Sequence, residues 1–132
     1  MKIAVDLDDI LAGFMDSFIE YHNNLYRTNF SREQFQGHSL WKILGVTKEE
    51  SIRRMHDYFE SVSFRRIMPL SGSQQGIKRL EQDNELFVVT SRPAHIAGKT
   101  NEWIREYFYN RFRGIHFASR GSEYEKQGSQ RP

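Results

Sequence analysis

The sequence predicts an α/β fold with a parallel sheet and a helical insertion after its first strand. Three observations predict it. Short apolar runs at Ile3-Ala4-Val5, Leu86-Phe87-Val88-Val89 and Ile115-His116-Phe117 alternate with segments of helical periodicity, the order of strands joined by right-handed crossovers. The first two runs stop abruptly in Asp6-Leu7-Asp8-Asp9 and Thr90-Ser91-Arg92, at the strand ends where open α/β sheets bind ligands. Between those two runs lie roughly eighty residues, far more than the dozen or so that one crossover helix needs.

Each element has its own signal. Ile3, Ala4 and Val5 are consecutive and apolar rather than alternating, which predicts a fully buried strand. Leu11, Phe14, Met15, Phe18, Tyr21 and Leu25 recur at helical spacing and predict a helix over 11–26. Ser31-Arg32-Glu33-Gln34 has the form of a capping box opening a short helix. The stretch from Gly37 to Leu44, which carries Trp41, is expected to be irregular. Thr47-Lys48-Glu49-Glu50 is a second capping box, and Ile52, Met55, Phe59 and Val62 behind it form the apolar face of a helix over 48–61. Pro69, Gly72 and Gly76 punctuate the next stretch. A helix over 73–81 turns Ile77 and Leu80 inward, weakened at Gly76 by about 1 kcal/mol relative to Ala.

Glu85 to Thr90 is the second buried strand, broken at Ser91-Arg92-Pro93. A helix over 95–109 follows, with Ile96, Thr100, Trp103, Ile104 and Phe108 on one face. Gly114 to Ala118 is a third short strand, in which His116 is expected to be packed. Residues 119–132 are polar and contain Gly and Ser, so they are expected to form a flexible tail. The resulting organisation is an α/β core over 1–11 and 69–118, a helical cap over 12–68, and the tail.

Composition narrows the classes. A chain of 132 residues is one domain's worth, and its 14% aromatic content argues against disorder. The formal charge of +2 is too small to mark a nucleic-acid binder. With no cysteine there is no disulfide, no thiolate zinc site and no cysteine nucleophile. No stretch reads as a signal peptide or approaches a membrane span, so a cytoplasmic protein is expected.

The chemistry lies in the two strand ends. Crowding Asp6, Asp8 and Asp9 beside an apolar strand is costly unless a cation or hydrogen bonds compensate. If the two strands are neighbours, Asp6 and Asp8 share a crevice with the Thr90 and Ser91 hydroxyls and the Arg92 guanidinium, a constellation suited to phosphate. Asp6 is the candidate nucleophile for phosphoryl transfer and Asp8 the candidate general acid and base. Both are candidate ligands of Mg²⁺, which would offset repulsion between the anions. Thr90 would stabilise the phosphoryl oxygens.

At these residues the chain resembles the haloacid-dehalogenase-like superfamily of phosphohydrolases. Val5-Asp6-Leu7-Asp8 matches that superfamily's first motif, and Val88-Val89-Thr90 matches the second. Val5 to Ala12, Pro69-Leu70-Ser71-Gly72 and Val89-Thr90-Ser91-Arg92-Pro93 together are most similar to the branch of 5′(3′)-deoxyribonucleotidases, also called 5′-nucleotidases type C. The resemblance covers about residues 2 to 118. It implies a Rossmann-like parallel sheet with an inserted helical cap that excludes water and selects the substrate. It further implies an aspartyl-phosphate on Asp6, Asp8 as acid and base with its main-chain carbonyl on the metal, Thr90 as the phosphate-binding hydroxyl, and Ser91 and Arg92 as phosphate or substrate contacts. Asp9 is expected to cap the following helix. The implied cofactor is Mg²⁺ and the implied substrate a small phosphomonoester such as a nucleotide.

The resemblance departs from the superfamily's pattern after Phe117. A lysine and an acidic pair following a fourth strand are expected there; Lys126 matches the lysine by position, with a solvated tail lysine as the alternative. Glu123 and Glu125 precede Lys126 and are not assigned to metal. Three explanations stand: a truncated phosphatase, a partner or second copy covering the open edge of the first strand, or a domain that has lost catalysis and binds metal, phosphate or protein. The remaining candidates have ordinary readings. Trp41, Phe59, Phe64, Trp103 and Phe108 are expected in the core, Arg65, Arg66, Arg111 and Arg113 on solvated faces, and His22, His38, His56 and His95 without metal spacing.

Overall fold

The structure, a computed structural model, describes residues 1–118. Its elements run β1 (Lys2–Asp6), α1 (Phe14–Tyr26), a 3-10 turn at Arg32–Phe35, α2 (Leu40–Leu44), α3 (Lys48–Phe59), α4 (Val62–Arg65), α5 (Ser73–Leu80), β2 (Glu85–Thr90), a 3-10 turn at Ala94–Ile96, α6 (Ala97–Tyr107) and β3 (Gly114–Phe117). The described residues form two compact units, Met1–Gly13 with the described chain from Met68, and Phe14–Ile67.

The first unit is built on a three-stranded sheet in the order β1-β2-β3, parallel throughout. Asp6 pairs with Val89 and Thr90 with Phe117, so the three strands finish in step. Central β2 buries Leu86, Val88 and Thr90, and Ile77, Ile96, Trp103, Ile104 and Phe108 complete the core. The inward face expected of the helix after β2 is therefore the buried face of α6 and its entering turn. Strand β1 corrects the expectation of full burial: Ile3 and Val5 are half-buried, and Lys2, Ala4 and Asp6 are exposed. Successive strand residues point to opposite faces, and the face carrying these three lies open. Among the described residues β1 has β2 as its one strand neighbour. His116 is exposed on β3 rather than packed. Leu80 is 39% exposed rather than inward, whereas Ile77 is buried as its spacing requires.

The second unit packs α1, α3 and α4 around aromatic rings. Tyr58 is fully buried, with Phe14, Phe18 and Phe64 meeting it edge-on at 5.5, 5.3 and 5.4 Å between centroids. Its hydroxyl donates to Ser17 Oγ at 2.7 Å. Both expected capping signals are present: Ser31 and Gln34 cap each other, and Thr47 Oγ1 accepts from the Glu50 amide at 3.1 Å. The stretch expected to be irregular contains α2 instead. Gly45 ends that helix in the left-handed region (φ 70°), its amide returning to the Trp41 carbonyl. Ser61 caps a separate helix, α4, by accepting from the Phe64 amide, and this turns Val62 out to 51% exposure instead of onto the α3 face.

A polar chain ties the segment after α1 to α3. The Phe30 amide can only donate, so the Asn23 atom facing it at 2.9 Å is the oxygen. The Thr28 hydroxyl, 2.8 Å from that oxygen, must donate to it. Its proton is thereby used, and His22 Nδ1 at 2.9 Å must donate to Thr28. His22 Nε2 then accepts from the Arg54 guanidinium at 2.9 Å. His22 is thus a fully buried neutral imidazole whose tautomer is set by donor-only groups at both ends. Burial and the facing guanidinium push its pKa down to about 4.

Candidate active site

The Asp-x-Asp segment is shaped by a clasp immediately after β1. Leu7 is fully buried, and its carbonyl accepts from the amides of Leu11 and Ala12 at 2.8 and 3.0 Å. Asp9 adopts a left-handed conformation (φ 64°) and its amide donates to the Ala12 carbonyl at 2.7 Å, a geometry that aspartate tolerates better than most residues. The segment after Ile67 closes the clasp. The Leu70 amide and the Ser73 hydroxyl both donate to the Leu11 carbonyl, at 2.8 and 3.2 Å, and the Gly13 amide donates to the Met68 carbonyl. These bonds keep Leu11 and Ala12 out of the helix, so α1 starts at Phe14 although Leu11 fits its periodicity. Asp9 accordingly lies in the turn, five residues before α1, and not at its cap position.

The second strand end is a tight turn. The Thr90 side chain is 3% exposed and its Oγ1 accepts from the Arg92 amide at 3.1 Å, a hydroxyl turn that lifts the chain out of the sheet. Pro93 then leads into the 3-10 turn and α6.

The two ends meet through one ion pair across 84 residues of chain. Arg92 Nη2 donates to Asp8 Oδ1 at 2.6 Å, and Nε reaches Oδ2 at 2.9 Å and Oδ1 at 3.2 Å. The Arg92 side chain is 3% exposed and that of Asp8 21%. Arg92 Nη1 donates at 3.2 Å to the hydroxyl of Thr100, which itself donates to the Ile96 carbonyl at 2.9 Å. Burial raises the Asp8 pKa above its ordinary value; the Arg92 hydrogen bonds and charge oppose this, and the charges of Asp9 and Asp6 add to it.

The structure thus brings together Asp6, Asp8, Thr90, Ser91 and Arg92 at adjacent ends of β1 and β2. Asp6 and Ser91 are exposed, Thr90 and Arg92 buried. Lys126 lies outside the described residues. Thr100 is the member the sequence reading assigned to the core alone. Its signal was a hydroxyl on an otherwise apolar helical face, which also reads as packing.

As for metal, the available donors are hard oxygens, the class a Mg²⁺ site uses, commonly one or two carboxylates with phosphate and water completing the shell. The exposed Asp6 carboxylate fits that role. Among the described residues no three His, Asp or Glu side chains gather around one point. No helix among them is long and apolar enough to cross a membrane.

Comparison with known proteins points the same way. The profile of the family described as "5' nucleotidase, deoxy (Pyrimidine), cytosolic type C protein" matches residues 1–120. Two 5'(3')-deoxyribonucleotidases, from Bacillus subtilis and from Bacillus phage SPbeta, are each 29% identical over 109 residues, 80% of this chain and 60% of theirs. The chain spans between 53% and 60% of the length of the curated relatives it matches. Among solved structures, a haloacid dehalogenase-like hydrolase from Streptococcus pneumoniae superposes with a TM-score of 0.65 at 15% identity, over 89% of this chain and 61% of that one. The fold is therefore the haloacid-dehalogenase-like α/β fold that the sequence predicted.

Proposed function

Since the chain belongs to the cytosolic type C 5′-deoxynucleotidase family, we propose that it hydrolyses a small phosphomonoester, a nucleotide or deoxynucleotide, through an aspartyl-phosphate on Asp6. One observation carries this reading: an exposed Asp6 carboxylate lies at a strand end in register with the strand that carries Thr90, beside an Asp8 carboxyl held in place by Arg92.

In the first step an Asp6 oxygen attacks phosphorus and the bond from phosphorus to the leaving oxygen breaks. Asp8 supplies the proton that the leaving alkoxide takes. In the second step the Asp8 carboxylate removes a proton from water as the water oxygen attacks the phosphoryl group. The bond to Asp6 breaks, and phosphate and both free carboxyl groups are restored. Thr90 and Ser91 hold the phosphoryl oxygens. A magnesium ion, held by the Asp6 carboxylate and the Asp8 main-chain carbonyl, would offset the repulsion between Asp6 and the phosphate anion. The family's description as cytosolic supports a cytoplasmic site of action.

The test is hydrolysis of deoxynucleoside monophosphates in magnesium buffer by the protein and by Asp6→Asn. Turnover should fall to background in the variant while its circular dichroism and melting temperature stay close to the parent's. Full activity in Asp6→Asn would refute the assignment. A second reading, a non-catalytic domain that binds a partner through the outer edge of β1, draws on β1 having β2 as its one strand neighbour among the described residues. It predicts no turnover by the parent and a self-associated chain in size-exclusion chromatography.

A further inference from the structure

The reading above uses the Asp8 carboxyl but gives no duty to the group that occupies it. An arginine beside a phosphate site is ordinarily a phosphate ligand, because its planar fork matches phosphate oxygens. Here the fork is engaged otherwise. Nε and Nη2 face Asp8, and Nη1 faces Thr100. The guanidinium is almost wholly buried, and its backbone amide is tied down by Thr90. Thr100 is fully buried, and its single proton is used on the Ile96 carbonyl, so its oxygen is set as an acceptor toward Nη1. The side chain is therefore fixed at both ends, by the β2 turn at its root and by α6 at its tip.

We propose that Arg92, braced by Thr100, is the positioning residue for Asp8, holding the carboxyl in the one orientation from which its proton reaches the leaving oxygen. The inference rests on the catalytic reading above and sharpens it, since it takes Arg92 out of phosphate binding and makes Thr100 part of the same device. Two nitrogens bound across one carboxyl group stop it from rotating about its Cβ–Cγ bond, and the brace stops the guanidinium from following. Reacting groups held within fractions of an ångström gain rate, and a loose one loses it.

The consequence depends on the ester. A nucleotide releases a basic alkoxide that needs the Asp8 proton; p-nitrophenyl phosphate releases a stable phenolate that does not. Arg92→Lys, Thr100→Val and Thr100→Ser are to be compared with the parent on a deoxynucleoside 5′-monophosphate and on p-nitrophenyl phosphate. Nucleotide kcat should fall about 100-fold in Arg92→Lys and about 10-fold in Thr100→Val, within the range that a positioned acid contributes. For p-nitrophenyl phosphate the fall should stay within about threefold, with KM for both esters little changed. Thr100→Ser, which keeps the hydroxyl, should restore most of the nucleotide rate.

Equal losses on both esters would overturn the proposal, as would a raised KM with kcat preserved, the signature of a direct phosphate ligand. If Arg92→Lys does not fold, the two Thr100 variants decide the matter. If the parent hydrolyses neither ester, it is the catalytic reading that fails. The coupling is then read from melting temperatures of Asp8→Asn, Thr100→Val and the double variant. Non-additive shifts support the relay, and additive shifts overturn it.

Discussion

Lowering the pH toward 4 should loosen the Phe14–Ile67 unit through one residue, His22. Its imidazole is fully buried and neutral, donating from Nδ1 to Thr28 and accepting at Nε2 from Arg54. A proton at Nε2 would set two donors against each other and place a second positive charge beside the guanidinium. The folded pKa is accordingly depressed, from 6.5 to about 4. The sign follows from linkage: the unfolded chain takes up the proton more readily, so the stabilisation is whole above about pH 6.5 and is lost as the pH falls through 4. At about 1.4 kcal/mol per pH unit, that displacement amounts to on the order of 3 kcal/mol, a large share of a small domain's stability.

The groups around the ring do not blur this window. Glu50, the partner of Arg54, is held by Arg53 and Arg54, has its pKa lowered to about 2 and stays ionised. Tyr26 and Phe18 lie tilted against the ring at 4.6 and 5.8 Å between centroids, and Arg54 lies 3.9 Å from the centre of the Tyr26 ring. The assay is thermal melting by circular dichroism at pH 7, 5.5 and 4.5 for the parent and for His22→Gln, joined to nitrogen-15 NMR of the imidazole. The parent's melting temperature should fall more steeply with acid than the variant's. The NMR spectrum should show a protonated Nδ1 and a bare Nε2 down to about pH 4. Titration of His22 near its ordinary value, or parallel pH profiles for the two proteins, would refute the reasoning.

Two further substitutions report on the same unit. Thr47→Ala removes the cap on α3 and should cost about 1 kcal/mol in urea unfolding, with the slope of the transition unchanged; no loss would mean the Glu50 amide finds water instead. Tyr58→Phe deletes the buried hydroxyl bonded to Ser17 and should likewise cost about 1 kcal/mol. A stabilised variant would show that this bond does not outweigh the desolvation of its two hydroxyls.

Local signals were legible wherever they act within one or two turns of chain. The bounds of β2, the Ser31 capping box, the Thr47 cap on α3, and the buried face of α6 follow from neighbours in sequence, because caps and periodicity are short-range physics. The same short-range logic misread α2. The cap signals Ser39 and Gly45 flank only five helical residues, too few for apolar periodicity to register. It also ran α1 back to Leu11, whose helical spacing is real but whose amide is claimed by Leu7 and whose carbonyl by Leu70 and Ser73.

What the sequence determined by itself was the chemistry available at the two strand ends, Asp6-Leu7-Asp8 and Thr90-Ser91-Arg92, since residue type and an abrupt end to an apolar run need no partner to be recognised. Tertiary structure decided what those groups do to one another. Parallel pairing of β1 with β2 brought Arg92 onto Asp8, and α6 brought Thr100 onto Arg92. It also decided that β1 exposes the face of Ala4, because burial depends on what lies against a strand and not on the strand's own composition. An arginine near a phosphate site can serve the phosphate or a carboxylate. Both partners are anionic, the local sequence favours neither, and only distances of 2.6 to 3.2 Å from residues far away in the chain select between them.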